Sequence, residues 1–444
     1  ATTRVARDAR AATRAPSRRR SRRRDATVGK RRMATRDDAS ATSVWEEITA
    51  MASEDGVVDL GQGWPDFGAS IAAREGAARA MLGDGVRANQ YAPVRGDARM
   101  VAALIRYYAA TGFDVGRCER GTVAREECVV VTASATEAIY GAFQAATRGG
   151  GDGTSRREIV FVEPFFPWYK AIADDVGAVS VVVRARAEDG FRVDVDAVRA
   201  ACSRDRTALL VMCSPHNPTG HVMTQDELLG IAALAEDLDL TVLSDEVYER
   251  SVFGGRAFTR LATVGDMSAR TVTIGSASKL LNLTGWRVGW AVGPKRLVDP
   301  IKSAHSLMSY TAPNPLQIGV AEALEEISRS ADGAVSSDEN AAVMFENANA
   351  LERALSDVGL SCFSPPGGYF LVCDVGKTGF SDMEFCRELA ARAKVCAVPM
   401  SVFFLPSPTG DVPRHLVRFA ICKVPSTVLE ACARIREHAP YVAP

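Results

Sequence analysis

Ser276-Ala-Ser-Lys279-Leu-Leu-Asn-Leu-Thr-Gly-Trp-Arg287-Val-Gly-Trp290 gathers a lysine, an arginine and several hydroxyls onto one turn between two apolar runs. Upstream, Thr271-Val-Thr-Ile274 is β-branched and ends at Gly275; downstream, Val288-Gly-Trp-Ala-Val292 is a second short run. Both read as strands, which places the lysine on a connection and not inside an element. A lysine in a dry, cation-lined pocket has its pKa lowered and becomes a nucleophile toward a carbonyl. Arg287, with its planar fork of donors, suits a phosphate. Taken alone, S-x-S-K is equally what a surface lysine after a strand looks like, so the flanking chain has to decide.

Further strand-like runs upstream also end in polar turns. Cys128-Val-Val-Val-Thr132 leads into Ala133-Ser-Ala-Thr-Glu137 and an apolar helix. Strand, small-residue turn and helix form the layout that points backbone N–H groups at an anion, with Ser134 and Glu137 as a capping box; a capped turn without ligand has the same text. Thr207-Ala-Leu-Leu-Val-Met212 precedes Cys213-Ser-Pro-His-Asn-Pro-Thr-Gly220, a turn that presents Asn217 as an amide donor. His216 in the same turn is read as structural, and Thr224 with Glu227 as the cap of the next helix. Leu240-Thr-Val-Leu243 delivers Ser244-Asp-Glu-Val-Tyr248, where the period of two puts Asp245 and Val247 on one face. An acid just past a buried strand needs a cationic partner or serves as a helix cap. His415-Leu-Val-Arg-Phe-Ala-Ile421 is another apolar strand, interrupted by Arg418; an amino acid's α-carboxylate or an internal ion pair would satisfy that charge.

At 444 residues with 47% hydrophobic and 24% charged residues, the chain is long enough for two domains with substantial cores. No run approaches the ~18 apolar residues of a membrane span. Ten cysteines are scattered without a C-x-x-C pair, a pattern of reduced, packed thiols that makes a zinc site unexpected. Residues 1–40 hold 14 Lys+Arg against 4 Asp, leaving 39 against 50 for the rest. Such a basic, acid-poor stretch cannot build a core and reads as a disordered, transit-like tail addressing a chloroplast or mitochondrion. A start at Met33 would leave the product in the cytoplasm. No aromatics interleave the arginines, which argues against nucleic-acid binding.

The block around Lys279 resembles the pyridoxal-phosphate lysine segment of the class I/II aminotransferases of fold type I. Val57-Val-Asp-Leu-Gly-Gln-Gly-Trp-Pro-Asp-Phe67 and Pro399-Met-Ser-Val-Phe403 are similar to elements of the subgroup with kynurenine/glutamine transaminases and methionine aminotransferases. The resemblance runs from about Ser43 to the C-terminus. It implies an α/β fold: a large domain with a mostly parallel, seven-stranded-type sheet covered by helices, plus a smaller α+β domain. The expected divisions are a tail at 1–40, an N-terminal arm and part of the small domain at 41–71, the large domain at 72–329 and the small domain at 330–444. Ser328 to Asn340, polar and charged, reads as the domain crossing.

By the same resemblance Lys279 binds pyridoxal 5′-phosphate covalently and moves the substrate Cα proton, Asp245 holds the pyridine nitrogen charged and Tyr248 donates to the ring oxygen. Phe166 stacks on the ring, Asn217 donates to the ring oxygen and to a substrate carboxylate, and Ser134, Ala135, Thr136, Ser276 and Arg287 take the phosphate. Tyr91 reaches the phosphate of a neighbouring subunit, which implies a homodimer with shared sites. Gly63, Trp64, Asn217 and Arg418 bind substrate. The implied reaction is transfer of an amino group from an uncharged or aromatic amino acid (kynurenine, glutamine, methionine or phenylalanine type) to a 2-oxo acid. Cysteine-S-conjugate β-elimination and N-succinyldiaminopimelate transamination are the alternatives on the same scaffold. No partner beyond these small molecules and a second copy is expected.

Overall fold

The computed structural model describes residues 36–83, 86–118, 123–148, 157–331, 339–406 and 411–438. Most of the basic tail, and most of the expected domain crossing, lie outside them. The first helix, α1 (Arg36–Ala52), starts before the expected boundary at 40. Once a helix is nucleated on a packed segment, extending it upstream costs little per residue. Here the packed segment is Ile48 and Met51, buried against Val372, Met400 and Phe403. Next, β1 (Val58–Asp59) pairs in parallel not with the large sheet but with a late strand at Val395–Cys396, tying residues 41–71 to the C-terminal part of the chain.

From α2 (Ile71–Leu82), capped by Ser70, and α3 (Ala98–Ala110), capped by Asp97, the chain enters the large sheet. Its strands are β2 (Val129–Thr132), β3 (Glu158–Glu163), β4 (Val179–Arg184), β5 (Thr207–Cys213), β6 (Val242–Asp245), β7 (Thr271–Ser276) and β8 (Gly289–Val292), arranged β2-β8-β7-β6-β5-β3-β4. Pairings β3–β4, β3–β5, β5–β6 and β6–β7 are parallel, and β8 runs against both β2 and β7. Strands β6 and β7 at the centre, and β2 at one edge, are buried along their whole length, which is why they read as continuous apolar runs without alternation. Helices α4 (Ala135–Thr147), α5 (Trp168–Asp175), α6 (Val195–Ala201) and α7 (Gln225–Asp237) cross between them; α7 has the full capping box expected from Thr224 and Glu227. A single turn, α8 (Ala277–Leu280), carries Lys279, and α9 (Lys295–Met308) and α10 (Asn314–Ser330) complete this part.

After α11 (Glu339–Asp357) come β9 (Ser361–Phe363), β10 (Phe370–Asp374), α12 (Asp382–Ala393), β11 (Val395–Cys396), β12 (Val398–Pro399), β13 (Leu416–Ala420) and α13 (Pro425–His438). Strands β12-β13-β10-β9 form an antiparallel sheet, with a separate core made by α11, α12 and α13. Register places Arg418 of β13 opposite Val372 of β10.

One buried ionic cluster fastens α3 to the segment after β6. Arg260 is 2% exposed; it donates to Glu246 at 2.8 Å and Thr111 at 3.1 Å, pairs with Glu249, and lies over the Tyr108 ring at 4.5 Å. Tyr107 donates to Glu249 at 2.8 Å, and Trp290 of β8 to the Tyr108 hydroxyl at 2.9 Å. Burial, opposed by Arg260, pushes the Glu246 carboxyl up to about 7. Arg260→Met would strand two buried carboxylates, and urea unfolding should show a loss of about 3–5 kcal/mol. Glu246 has a raised folded pKa, so its charged form is the costly one; the loss should be larger at pH 8 than at pH 5.5, where protonation discharges it.

Candidate active site

The ends of β2, β5, β6 and β7 open onto a cleft of about 880 Å³, which the small domain closes from the other side through Phe370, Phe403 and Arg418. Lys279 sits at its centre because β7 ends in a tight turn: Ser276 accepts from the Ser278 N–H at 3.1 Å and starts α8. The hydroxyl of Tyr369 holds the Lys279 carbonyl at 2.9 Å, while Lys279 Nζ donates to the Gly63 carbonyl. Burial lowers the Lys279 pKa to about 8, with the Arg418, Arg287 and Lys423 charges acting in the same direction and Cys422 against it. A substantial neutral fraction therefore exists near neutral pH, the state a nucleophile or base requires.

Asp245 lies at the end of β6 and is 5% exposed. Its oxygens accept from the Tyr169 hydroxyl at 2.5 Å and the Val247 N–H at 3.4 Å, and burial raises its pKa to about 6 despite both bonds. A carboxylate held this dry is stabilised by a cation, and a protonated pyridine nitrogen is of the right kind. Val247 and Tyr248, in the turn that follows β6, also line the cleft. His216 is no candidate base: burial lowers its pKa to about 3, and Nδ1 is engaged with Thr219 at 2.8 Å.

The anion cup forms where β2 turns into α4. Ser134, at φ 130°, caps the helix by accepting from the Glu137 N–H. Glu137 reaches back to the Ala133 N–H instead of the Ser134 N–H, so the expected capping box is only half present; the same carboxylate is held by His305 at 2.9 Å and Ser309 at 2.7 Å. Gly289 of β8 supports the cup from below, where a Cβ would lie 2.3 Å from the Ala135 nitrogen. Ala135, Thr136, Ser276, Ser278 and Arg287 face the same part of the cleft, and the Ser278 hydroxyl is buried with no protein partner among the described residues. First-turn N–H groups, serine hydroxyls and a guanidinium together fit a phosphate.

Arg418 is 3% exposed and carries no carboxylate partner among the described residues. It donates to Asn217 Oδ1 and the Gly61 carbonyl, both at 2.9 Å, and lies 3.8 Å from the Phe370 ring centroid. Its Nε has no partner among the described residues, and burial lowers its pKa to about 10. The internal ion pair considered from sequence does not form among the described residues, and a ligand carboxylate would fit as the complement. Because Asn217 accepts from Arg418 through Oδ1, its Nδ2 remains a donor.

Of the expected site residues, Gly63, Ser134, Ala135, Thr136, Phe166, Asn217, Asp245, Tyr248, Ser276, Lys279, Arg287 and Arg418 line this one cleft. Trp64 does not: its ring covers Lys423 Nζ at 3.6 Å, a cation–π contact that turns it from the cleft. Tyr91 is 80% exposed, edge-on to Tyr310 and outside its own chain's cleft. Sequence reasoning missed the cleft wall contributed by α1, with Trp45, Glu46 and Thr49, and the role of Tyr169 beneath Asp245. Tyr169 stands three residues after Phe166, a spacing that could have placed both near one site; nothing in the text of α1 shows where that helix docks.

Comparison with known proteins shows which family this fold belongs to. The family model for aminotransferase class I and II matches residues 55–435. A probable N-succinyldiaminopimelate aminotransferase DapC of Mycobacterium tuberculosis is 37% identical over 405 residues, covering 89% of this chain and 96% of that protein. Kynurenine–oxoglutarate transaminase 3 of Mus musculus is 31% identical, covering 89% of this chain and 88% of its own. Among solved structures, N-succinyldiaminopimelate aminotransferase from Mycobacterium tuberculosis superposes with a TM-score of 0.78 at 34% identity, over 91% of this chain and 99% of that one. YbdL from Escherichia coli, with a methionine aminotransferase function, gives 0.76 at 26%, over 89% and 96%.

Lys279→Ala should abolish turnover while circular dichroism and the unfolding midpoint stay near wild type. In cofactor-free protein, acylation of Lys279 by an amine-directed reagent, followed by peptide mass spectrometry, should accelerate about tenfold per pH unit up to about 8 and flatten above it. A plateau only beyond pH 10 would show a solvated amine.

Proposed function

Because this chain belongs to the class I and II aminotransferases, we propose that it is a pyridoxal-phosphate-dependent transaminase whose amino donors are sizeable and lack a side-chain carboxylate. One observation carries the reading: Lys279, Asp245 and Arg418 share a cleft, Asp245 and Arg418 buried and Lys279 half-buried but desolvated, and none is in an ion pair with another described residue. Pyridoxal phosphate, when bound, supplies an aldehyde that takes up an amino group and a ring that accepts electron density. Asp245 holds the proton on the ring nitrogen. Ala135, Thr136, Ser276, Ser278 and Arg287 would hold the phosphate, and Phe166 and Val247 would pack against the ring. Tyr248 and Asn217 donate to the ring oxygen. Arg418 fixes the substrate α-carboxylate, and Lys279 Nζ takes the Cα proton and delivers one back.

Donor choice follows from the remaining wall. Trp45, Trp168 and Phe403 form an aromatic cluster, with centroids 5.9 Å and 6.0 Å from Trp45. Among the described residues, the cations lining the cleft are Lys279, Arg287 and Arg418, all with assigned partners in this reading. Lys302 is engaged with Asp299 at 3.5 Å and Arg260 with its buried glutamates, so neither offers a second carboxylate site. Glu46 at the rim repels an acidic side chain. N-succinyldiaminopimelate is the second reading, favoured by the 37% identity to DapC, but its distal carboxylates find no cation in this chain's own cleft.

Tyr91, Tyr310, Leu307 and Leu82, each at least half exposed, offer apolar surface for a second copy, which supports a homodimer with Tyr91 serving the partner's phosphate. The basic composition of residues 1–40 supports organellar import.

An absorbance spectrum of purified protein with added pyridoxal phosphate, then mixing with an amino-acid panel, tests the reading. Phenylalanine, methionine and kynurenine should exceed aspartate in kcat/KM by at least about 100-fold. Glu46→Gln should raise the acidic donors about two- to fivefold and leave phenylalanine within about twofold. N-succinyldiaminopimelate ranking first would replace this reading with the second. For the shared site, mixing inactive Tyr91 and Lys279 variants should restore activity in hybrid dimers; an active monomer in sedimentation overturns it.

A further inference from the structure

Strands β9 and β10 bring two thiols face to face. Cys362 and Cys373 are direct register partners in the antiparallel pair, so their side chains share a face, and both pack into the small-domain core. Opposed residues in such a pair have Cα atoms about 4.5–5.5 Å apart, within the roughly 4.4–6.8 Å that a disulfide spans. The Cys373 thiol donates to the Asp374 carbonyl at 3.8 Å, and the facing Cys362 thiol, more than burial, holds Cys373 well above the ordinary thiol range. Cys373 is fully buried, whereas Cys362 is half-buried and open to a small oxidant.

We propose that Cys362 and Cys373 are an oxidisable pair whose disulfide closes the β9–β10 connection covalently. The enclosed segment touches the active site at three places. Gly367 N–H donates to the Gly220 carbonyl at 3.1 Å behind the Asn217 turn, Tyr369 holds the Lys279 carbonyl at 2.9 Å, and Phe370 lies 3.8 Å under the Arg418 guanidinium. The oxidant is a low-molecular-weight disulfide such as oxidised glutathione. Cys362 thiolate attacks one of its sulfurs and releases one thiolate; Cys373, once deprotonated, attacks the Cys362 sulfur and expels the second. Two protein thiols lose two protons and two electrons, and one small disulfide becomes two thiols. Deprotonation of Cys373 limits closure, so closure accelerates as pH rises.

The test incubates the full-length protein with oxidised glutathione under native conditions, then alkylates and maps peptides by mass spectrometry. Two thiols should disappear, a cross-linked peptide should join Cys362 to Cys373, and dithiothreitol should reverse it. Closure should be about tenfold faster at pH 8 than at pH 7, and hydrogen exchange in residues 364–371 should slow several-fold in the oxidised form. Cys373→Ala should stop at a glutathione adduct on Cys362, and Cys362→Ser should form neither adduct nor cross-link. A wild-type protein that keeps both thiols, that stalls at the Cys362 adduct, or that cross-links only in denaturant overturns the proposal.

Discussion

Charge kept out of water without a counter-ion among the described residues is the constraint on which this structure turns. Desolvation moves the Lys279 pKa down and the Asp245 pKa up, each toward its neutral form, and does the same to Arg418. None of the three is placed where another could neutralise it. That arrangement is tolerable only because neighbours supply dipoles: the Gly63 and Gly61 carbonyls, the Tyr169 hydroxyl and the Asn217 amide. A few ångströms away the same chain solves the opposite problem, surrounding Arg260 with two carboxylates and two phenol rings. The paired cluster fixes the backbone; the unpaired charges await a ligand that brings complementary ones.

Both domains are needed for that balance. Asp245 ends a strand of the large sheet, Lys279 sits on the turn that follows another, and Arg418 belongs to the four-stranded sheet; the bonds that orient them cross between the two domains. Tyr369 reaches from the small domain to the Lys279 carbonyl, and Asn217 from the large domain to Arg418. Gly220 illustrates how closely the halves approach, since a Cβ there would lie 2.5 Å from Pro365. A substrate that binds Arg418 and Lys279 together therefore bridges the domains.

Much of this was legible in the text. Buried strands leave continuous apolar runs, and turns that hold an anion or an amide are written in Ser, Asn, Pro and Gly, so β2, β5, β6 and β7 and the residues at their ends were readable in order. Asp245 and Val247, expected on one face, both line the cleft. What failed was anything decided by long-range docking. Trp64 belongs to a motif associated with the cleft, yet a cation–π contact with Lys423, far along the chain, turns it outward. Glu137 looked like the second half of a capping box but is drawn to Ala133, His305 and Ser309. The contribution of α1 was invisible because a helix states its apolar face and not the surface it meets.

The position of α1 has an evolutionary corollary. It rests on the small domain through Ile48 and Met51 and through Glu47, which pairs with Arg387 at 2.6 Å, while one side of it walls the cleft. The cup between β2 and α4, the lysine turn and the strand that carries Arg418 are built from other parts of the chain. Drift along α1 can thus re-tailor which side chains are admitted without disturbing the reaction machinery, so two homologues with identical catalytic residues can divide a set of amino acids between them by their opening helix.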